Sequence, residues 1–165
     1  MAVSLDEFRP MVESDIPSVL ALERSVFPVP WTEEMLRAEV KAPGRNYLVV
    51  DGEVGPTAYG GLMVTDVEAH IMTIAVHKEY RGNGIATRLL LALIDSALDT
   101  DVKHLTLELR VSNQPAFRLY EKFGFAPVGI KPRYYVDEDA LVMWAVGISG
   151  PEYRRRLDRI REGVQ

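Results

Sequence analysis

Met72-Thr73-Ile74-Ala75-Val76-His77-Lys78-Glu79-Tyr80-Arg81-Gly82-Asn83-Gly84-Ile85-Ala86-Thr87 leads from a run of strand character into a glycine-bearing loop and then into a long apolar segment. The segment Ile85 to Leu98 has the length and composition of a helix, so several backbone N–H groups and the positive helix end converge on Arg81-Gly82-Asn83-Gly84-Ile85-Ala86. Such a junction attracts an anion. Gly82 and Gly84 let the backbone approach a phosphate without a side-chain clash, and Ala86 and Thr87 are small enough for a pyrophosphate above the first turn. An ordinary glycine turn ahead of a helix is the other reading of the same residues. Two better-known phosphate motifs do not fit. A dinucleotide fingerprint needs Gly or Ala where Thr87 stands and follows the first strand of a doubly wound sheet, and a P-loop needs a Gly-Lys-Ser/Thr that occurs nowhere in the chain.

On the N-terminal side, Ser14 is a candidate cap for a helix carrying Ile16, Val19, Leu20, Leu22 and Val26, stopped by Phe27-Pro28-Val29-Pro30. Thr32 is a candidate cap for a second short helix, with Glu33 and Glu34 in its positive first turn, Trp31 placed to staple onto Leu36, and Pro43-Gly44 ending it. Three strand-like runs follow, Asn46 to Val50, Ala58 to Thr65 and Ala69 to Val76. The short connections at Asp51-Gly52 and Asp66-Val67-Glu68 imply antiparallel hairpins.

On the C-terminal side, the pattern is helix Ile85 to Leu98, strand His104 to Val111, helix Gln114 to Phe123 and strand Ala126 to Ile130. That alternation requires parallel pairing of at least two strands. Residues Lys131 to Asp139 connect to a last strand, Ala140 to Val146. The expected fold is α/β (α+β): a mixed, mostly antiparallel sheet of six or seven strands with helices on both faces. Residues 1–147 form the expected domain and 148–165 a helical extension, in which Tyr153, Leu157, Ile160 and Val164 make one apolar stripe among five arginines. This helix can dock on the domain or serve a partner or ribosomal RNA.

Within the strand His104 to Val111, Leu105, Leu107, Leu109 and Val111 alternate with Thr106, Glu108 and Arg110. A carboxylate in a central strand is unusual, so Glu108 either pairs with neighbours such as Arg110 or lines a wet cleft. Asn113 caps the next helix, entered through Pro115 and closed by Gly124. Tyr120 shares a helix face with Phe117 and Phe123. It is either aromatic core or, through its hydroxyl, a proton donor.

Composition bounds the chemistry. A chain of 165 residues, 47% hydrophobic, suits one domain with a real core. The chain has no cysteine, which excludes disulfides, a thiolate nucleophile and zinc ribbons and favours an intracellular address. No metal site is expected. Met1 to Phe8 lacks the basic and apolar regions of a leader, and no apolar run approaches the ~20 residues of a membrane span. A net charge of -5 argues against DNA or general nucleic-acid binding. The oligomeric state is not encoded in any pattern found, and a monomer is the simplest expectation.

Together these residues resemble the GNAT acetyltransferase superfamily over almost the whole chain. Arg81-Gly82-Asn83-Gly84-Ile85-Ala86 matches its Q/R-x-x-G-x-G/A loop, and Asn113-Gln114-Pro115-Ala116 through Leu119-Tyr120-Glu121-Lys122-Phe123-Gly124-Phe125 matches its N-x-x-A to Y-x-x-x-G-F segment. The resemblance implies a GNAT fold with a splayed parallel pair at strands four and five. It implies acetyl-CoA as donor, with the backbone of Ile74, Ala75 and Val76 on the pantetheine arm. Arg81, Gly82, Asn83, Gly84, Ile85, Ala86 and Thr87 would hold the pyrophosphate, and Asn113 would touch the cofactor. Phe27-Pro28-Val29-Pro30-Trp31, Leu107-Glu108-Leu109-Arg110 and Arg133-Tyr134-Tyr135 resemble the RimI-like ribosomal-protein alanine N-acetyltransferases. By that resemblance the partner is a protein N-terminus in the cytoplasm, with a lysine side chain or a small amine as the alternative acceptor. Glu108 is then the proton acceptor and Tyr120 the proton donor, while Trp31, Tyr134 and Tyr135 cover the substrate. The amine would attack the thioester directly, with no covalent enzyme intermediate.

Overall fold

The computed structural model describes residues 8–164. The reading of Met1 to Phe8 as lacking a leader therefore lies outside the described residues except at Phe8, as does the last residue of the expected C-terminal helix. In chain order the elements are β1 (Phe8–Pro10), α1 (Ile16–Val26), α2 (Glu33–Lys41), β2 (Arg45–Gly52), β3 (Gly55–Val64), β4 (Glu68–Val76), α3 (Ile85–Leu98), β5 (His104–Arg110), α4 (Gln114–Lys122), β6 (Ala126–Tyr135), β7 (Glu138–Val146) and α5 (Pro151–Gly163). The strands form one seven-stranded mixed sheet in the order β1-β2-β3-β4-β5-β7-β6. β4 and β5 are its parallel pair, with Glu68, Ala69 and His70 opposite His104, Leu105 and Thr106. The registered pairs stop there, and β5 continues antiparallel to β7 from His104↔Val146 to Arg110↔Ala140.

The chain divides into two compact units. The first contains the residues up to Met63 together with Met72–Ser96 and Val164. Here β2 and β3 pair from Arg45↔Met63 to Gly52↔Gly55, the expected hairpin. The apolar faces of α1 and α2 meet this sheet in a cluster of Ile16, Val19, Leu20, Leu22, Leu36, Tyr47, Val49 and Tyr59, with Trp31 packed against it. Each such side chain contributes about 1.5–3 kcal/mol on full burial. Thr32 caps α2 as expected, its Oγ1 accepting the Met35 N–H at 3.1 Å. Ser14 does not cap α1. It lies inside a short 3-10 turn, Glu13–Asp15. Asp15 is the organising residue, accepting the Val12 N–H at 2.8 Å and two guanidinium bonds from Arg9 at 2.7 and 2.8 Å. The ionised Asp15 carboxylate is a stronger acceptor for the turn's N–H than a neutral hydroxyl.

The second unit contains Val64–Ile71 and Ala97–Gly163. Asn113 caps α4 as expected, Oδ1 accepting from Ala116 at 3.2 Å, and Gly124 closes it at φ 86°. A Cβ on Gly124 would also approach Arg156 and Tyr153 within 3.3 Å. α5 forms over Pro151–Gly163 with Tyr153, Leu157 and Ile160 buried, and the Tyr153 hydroxyl donates to the Phe123 carbonyl at 2.7 Å. The strand expected to end at Ile130 continues to Tyr135, and the expected connection Lys131 to Asp139 is instead most of a hairpin, with Lys131 opposite Ala140 and Tyr135 opposite Glu138. Lys131-Pro132-Arg133 breaks the apolar alternation that marks a strand, and the register shifts there, with Arg133 at φ 50°. Backbone pairing with β7, rather than side-chain burial, carries the extension.

Candidate active site

The expected phosphate-binding residues lie in the first unit. Gly82 and Gly84 adopt φ of 83° and 77°, a left-handed geometry that costs other residues roughly 1–2 kcal/mol. The loop is braced by its own side chains. Arg81 Nε donates to the Val76 carbonyl at 3.1 Å, and the Asn83 amide donates to the Tyr80 and Arg81 carbonyls at 3.2 and 3.4 Å. The hydrogen-bond ladder of α3 opens with Arg88 N–H on the Gly84 carbonyl at 3.0 Å. The N–H groups ahead of it, those of Ile85 and Ala86 among them, have no acceptor within the helix and point out of its positive end. A Cβ at Gly82 or Gly84 would meet nothing within 4 Å, so the backbone is open to an approaching group. Ile85 contributes main chain only, its side chain being buried. At the end of β4, Ala75 and Val76 are buried and His77 N–H pairs with the Thr57 carbonyl at 2.8 Å, fixing Ile74 to Val76 as a strand terminus. The residues present thus fit a pyrophosphate. Gly84→Val should force β-branched backbone into the left-handed region; the expected result is at least a tenfold weaker acetyl-CoA affinity by calorimetry, and an unchanged Kd contradicts it.

Trp31 also belongs to this unit, edge-on to Tyr47 with centroids 6.5 Å apart. Its backbone N–H donates to Glu23 Oε2 at 2.8 Å, and the other carboxylate oxygen accepts the Tyr59 hydroxyl. Glu23 is 2% exposed and anchors the Phe27 to Trp31 turn. Within the amphipathic pattern of α1 it passes for a helix-face residue, and the buried Tyr59, 36 residues away in sequence, explains it.

The catalytic candidates lie in the second unit. Glu108 Oε2 sits 2.7 Å from His70 Nε2, and Oε1 accepts from Lys131 Nζ at 2.7 Å. The partner is therefore not Arg110, which pairs with Asp137 at 2.6 Å and Glu138 at 3.3 Å. His70 is fixed in turn by Thr106 Oγ1, 2.7 Å from Nδ1. In the neutral ring, Nε2–H donates to the carboxylate and Nδ1 accepts from the hydroxyl. The His70 hydrogen bond, followed by that of Lys131, draws the Glu108 carboxyl down to about 2 despite its partial burial. His70 and Lys131 escape notice in the sequence. The usable signal for His70 is the parallel pairing itself, which sets His70 opposite Thr106, two residues before Glu108 on the same face.

Tyr120 is buried edge-on to Phe125, 5.7 Å between centroids, and desolvation keeps its phenol protonated well above neutral pH. Tyr134 and Tyr135 pack edge to face at 5.2 Å. Lys131 Nζ lies 5.2 Å from the Tyr134 ring centre and the Arg110 guanidinium 4.5 Å from that of Tyr135, whose burial pushes its hydroxyl up to about 12. Glu108, Tyr134 and Tyr135 are thus brought together around Lys131. Among the described residues no cluster of metal-ligating side chains occurs, and no helix is long and apolar enough to cross a membrane.

A glycine loop feeding a helix, a parallel strand pair and a carboxylate on the second of those strands define an acyl-CoA transferase architecture. The model of the acetyltransferase (GNAT) family matches residues 16–125, and the chain belongs to that family; acetyl-CoA is its acetyl donor. The [ribosomal protein bS18]-alanine N-acetyltransferase of Escherichia coli K12 is 32% identical over 135 residues, covering 79% of this chain and 90% of that one. A Bacillus subtilis protein provisionally given the same name is 39% identical over 139 residues, covering 82% of this chain and 92% of that one. The crystal structure of the Escherichia coli ribosomal-protein-S18-alanine N-acetyltransferase superposes with a TM-score of 0.78 at 28% identity, covering 85% of this chain and 92% of that chain.

Proposed function

We propose that this chain transfers the acetyl group of acetyl-CoA to the N-terminal α-amine of a protein, its target being the N-terminal alanine of a small-subunit ribosomal protein in the cytoplasm. The observation that carries the reading is Glu108, a carboxylate facing a cation and the Tyr134 and Tyr135 pair, which is the chemistry that receives an ammonium. The names of the two ribosomal-alanine relatives support the target. Residues 1–147 serve as the transferase domain and 148–165 as its helical extension.

In this reading the main chain of Ile74 to Val76 and of Gly82 to Thr87 binds and orients the donor, with Arg81 and Asn83 holding the loop and Asn113 near the cofactor. Glu108, oriented by His70, takes the proton of the attacking amine directly or through water. Tyr120 keeps its proton until the thiolate leaves. Trp31, Tyr134 and Tyr135 cover the peptide. Reference pKa values of ~7.7–8.0 for an α-amine against ~10.4 for lysine make the first deprotonation easier by roughly 3.5 kcal/mol. A modest base suffices for it. The test is acetyl transfer to peptides that differ in their first residue, offered beside lysine and small amines and read by mass spectrometry. Acetylation at the α-amine of alanine-first peptides is expected; preferential acetylation of lysine side chains or small amines overturns the reading.

A further inference from the structure

Lys131 has no part in the chemistry above, yet its ammonium touches the residue assigned as proton acceptor. To do so it extends from β6 across β7. Glu108 and Gly129 both stand opposite Val142 of the intervening strand, and Lys131, two residues beyond Gly129, shares that face. Nζ ends 2.7 Å from Glu108 Oε1 and 5.2 Å from the centre of the Tyr134 ring. A Cβ on Gly129 would meet nothing within 4 Å, so the row that holds Glu108 is open on the β6 side.

Resting on the proposed function, we propose that Lys131 is a resident stand-in for the acceptor's ammonium, occupying the carboxylate-and-tyrosine site in the free enzyme and withdrawing when a peptide N-terminus enters. The contacts it makes are those a primary ammonium makes. Its hold on the site is also weak in the way displacement requires. The Lys131 side chain is 49% exposed and that of Glu108 only 13%, so the lysine can swing into water while the carboxylate stays in place on His70. A long, half-exposed side chain held in one extended geometry gives up rotamer freedom for an ion pair of small net worth. Withdrawal also removes one of the two hydrogen bonds that depress the basicity of Glu108, leaving it a better base when the amine arrives.

The test compares wild type, Lys131→Met and Lys131→Arg with an alanine-first peptide and acetyl-CoA. Methionine keeps the length and loses the charge. The expected result for Lys131→Met is a peptide KM lowered about two- to fivefold, the range set by an exposed ion pair, with the acetyl-CoA KM unchanged. Lys131→Arg, which retains a cation, should keep the wild-type peptide KM or raise it. A peptide KM that is unchanged or higher in Lys131→Met, with wild type active, overturns the stand-in and leaves the proposed function intact. An inactive wild type overturns the proposed function and the stand-in together. A merely structural role for Lys131 moves both KM values or the folded fraction, and that outcome too overturns the proposal.

Discussion

Glu108→Gln is expected to lower kcat by about 10²–10⁴-fold, the usual worth of a positioned general base, while leaving acetyl-CoA affinity unchanged. The amide keeps the shape of the side chain and cannot take a proton. Nothing in the loop of Gly82 and Gly84 or in Ile74 to Val76 is altered. The pH profile separates this from a loss of folding. Hydrogen bonds from His70, then Lys131, hold the wild-type carboxyl near 2, below its ordinary 4.5, so it is ionised throughout the working range. The rising limb of wild-type activity should therefore follow the acceptor amine near ~7.7–8.0, with no break near 4.5. A break there, or a Gln variant with full kcat, removes Glu108 from its role. The sign for stability is that of a depressed acid. The contribution is fully present above the unfolded value and is lost as pH falls through about 2.

Glu23→Ala should destabilise the protein by about 3–5 kcal/mol, because it leaves the buried Tyr59 hydroxyl and the half-buried Trp31 N–H without their acceptor and opens a cavity beside them. For a chain of this size that corresponds to a melting temperature lower by about 10 °C. Urea denaturation of the two proteins measures it directly. A loss under 1 kcal/mol would mean that the Phe27 to Trp31 turn is held by packing alone. Glu23→Gln keeps an acceptor for one of the two donors and should fall between.

Most elements were legible in the sequence because local signals agreed with tertiary demands. Thr32, Asn113 and Gly124 each sit where capping chemistry puts them, and Ile85 to Leu98 is helical because Leu89, Leu90, Leu91, Leu93 and Ile94 are all buried. The extension of β6 was not legible, since Lys131 to Tyr135 pairs through backbone and carries no alternating pattern. Ser14 reads as a cap, yet the neighbouring Asp15, an ionised and so stronger acceptor, takes the Val12 N–H that organises the turn. At the candidate site, Glu108 stood out as a carboxylate amid leucines. Its partners did not: His70 and Lys131 are 38 and 23 residues from it in sequence, and only the strand order brings them to one face. Glu23 shows the same blindness, its meaning residing wholly in Tyr59 and Trp31.

The hydrogen bond from Tyr153 to the Phe123 carbonyl gives the end of the chain a practical meaning. It seals the last turn of the helix that carries Tyr120, and Arg156 adds a second bond to the Lys122 carbonyl at 3.1 Å. Shortening the chain before Tyr153 would strip both carbonyls of their donors. A test of what the arginine-rich helix does should therefore reverse the charge of its exposed arginines and leave Tyr153 and Arg156 in place.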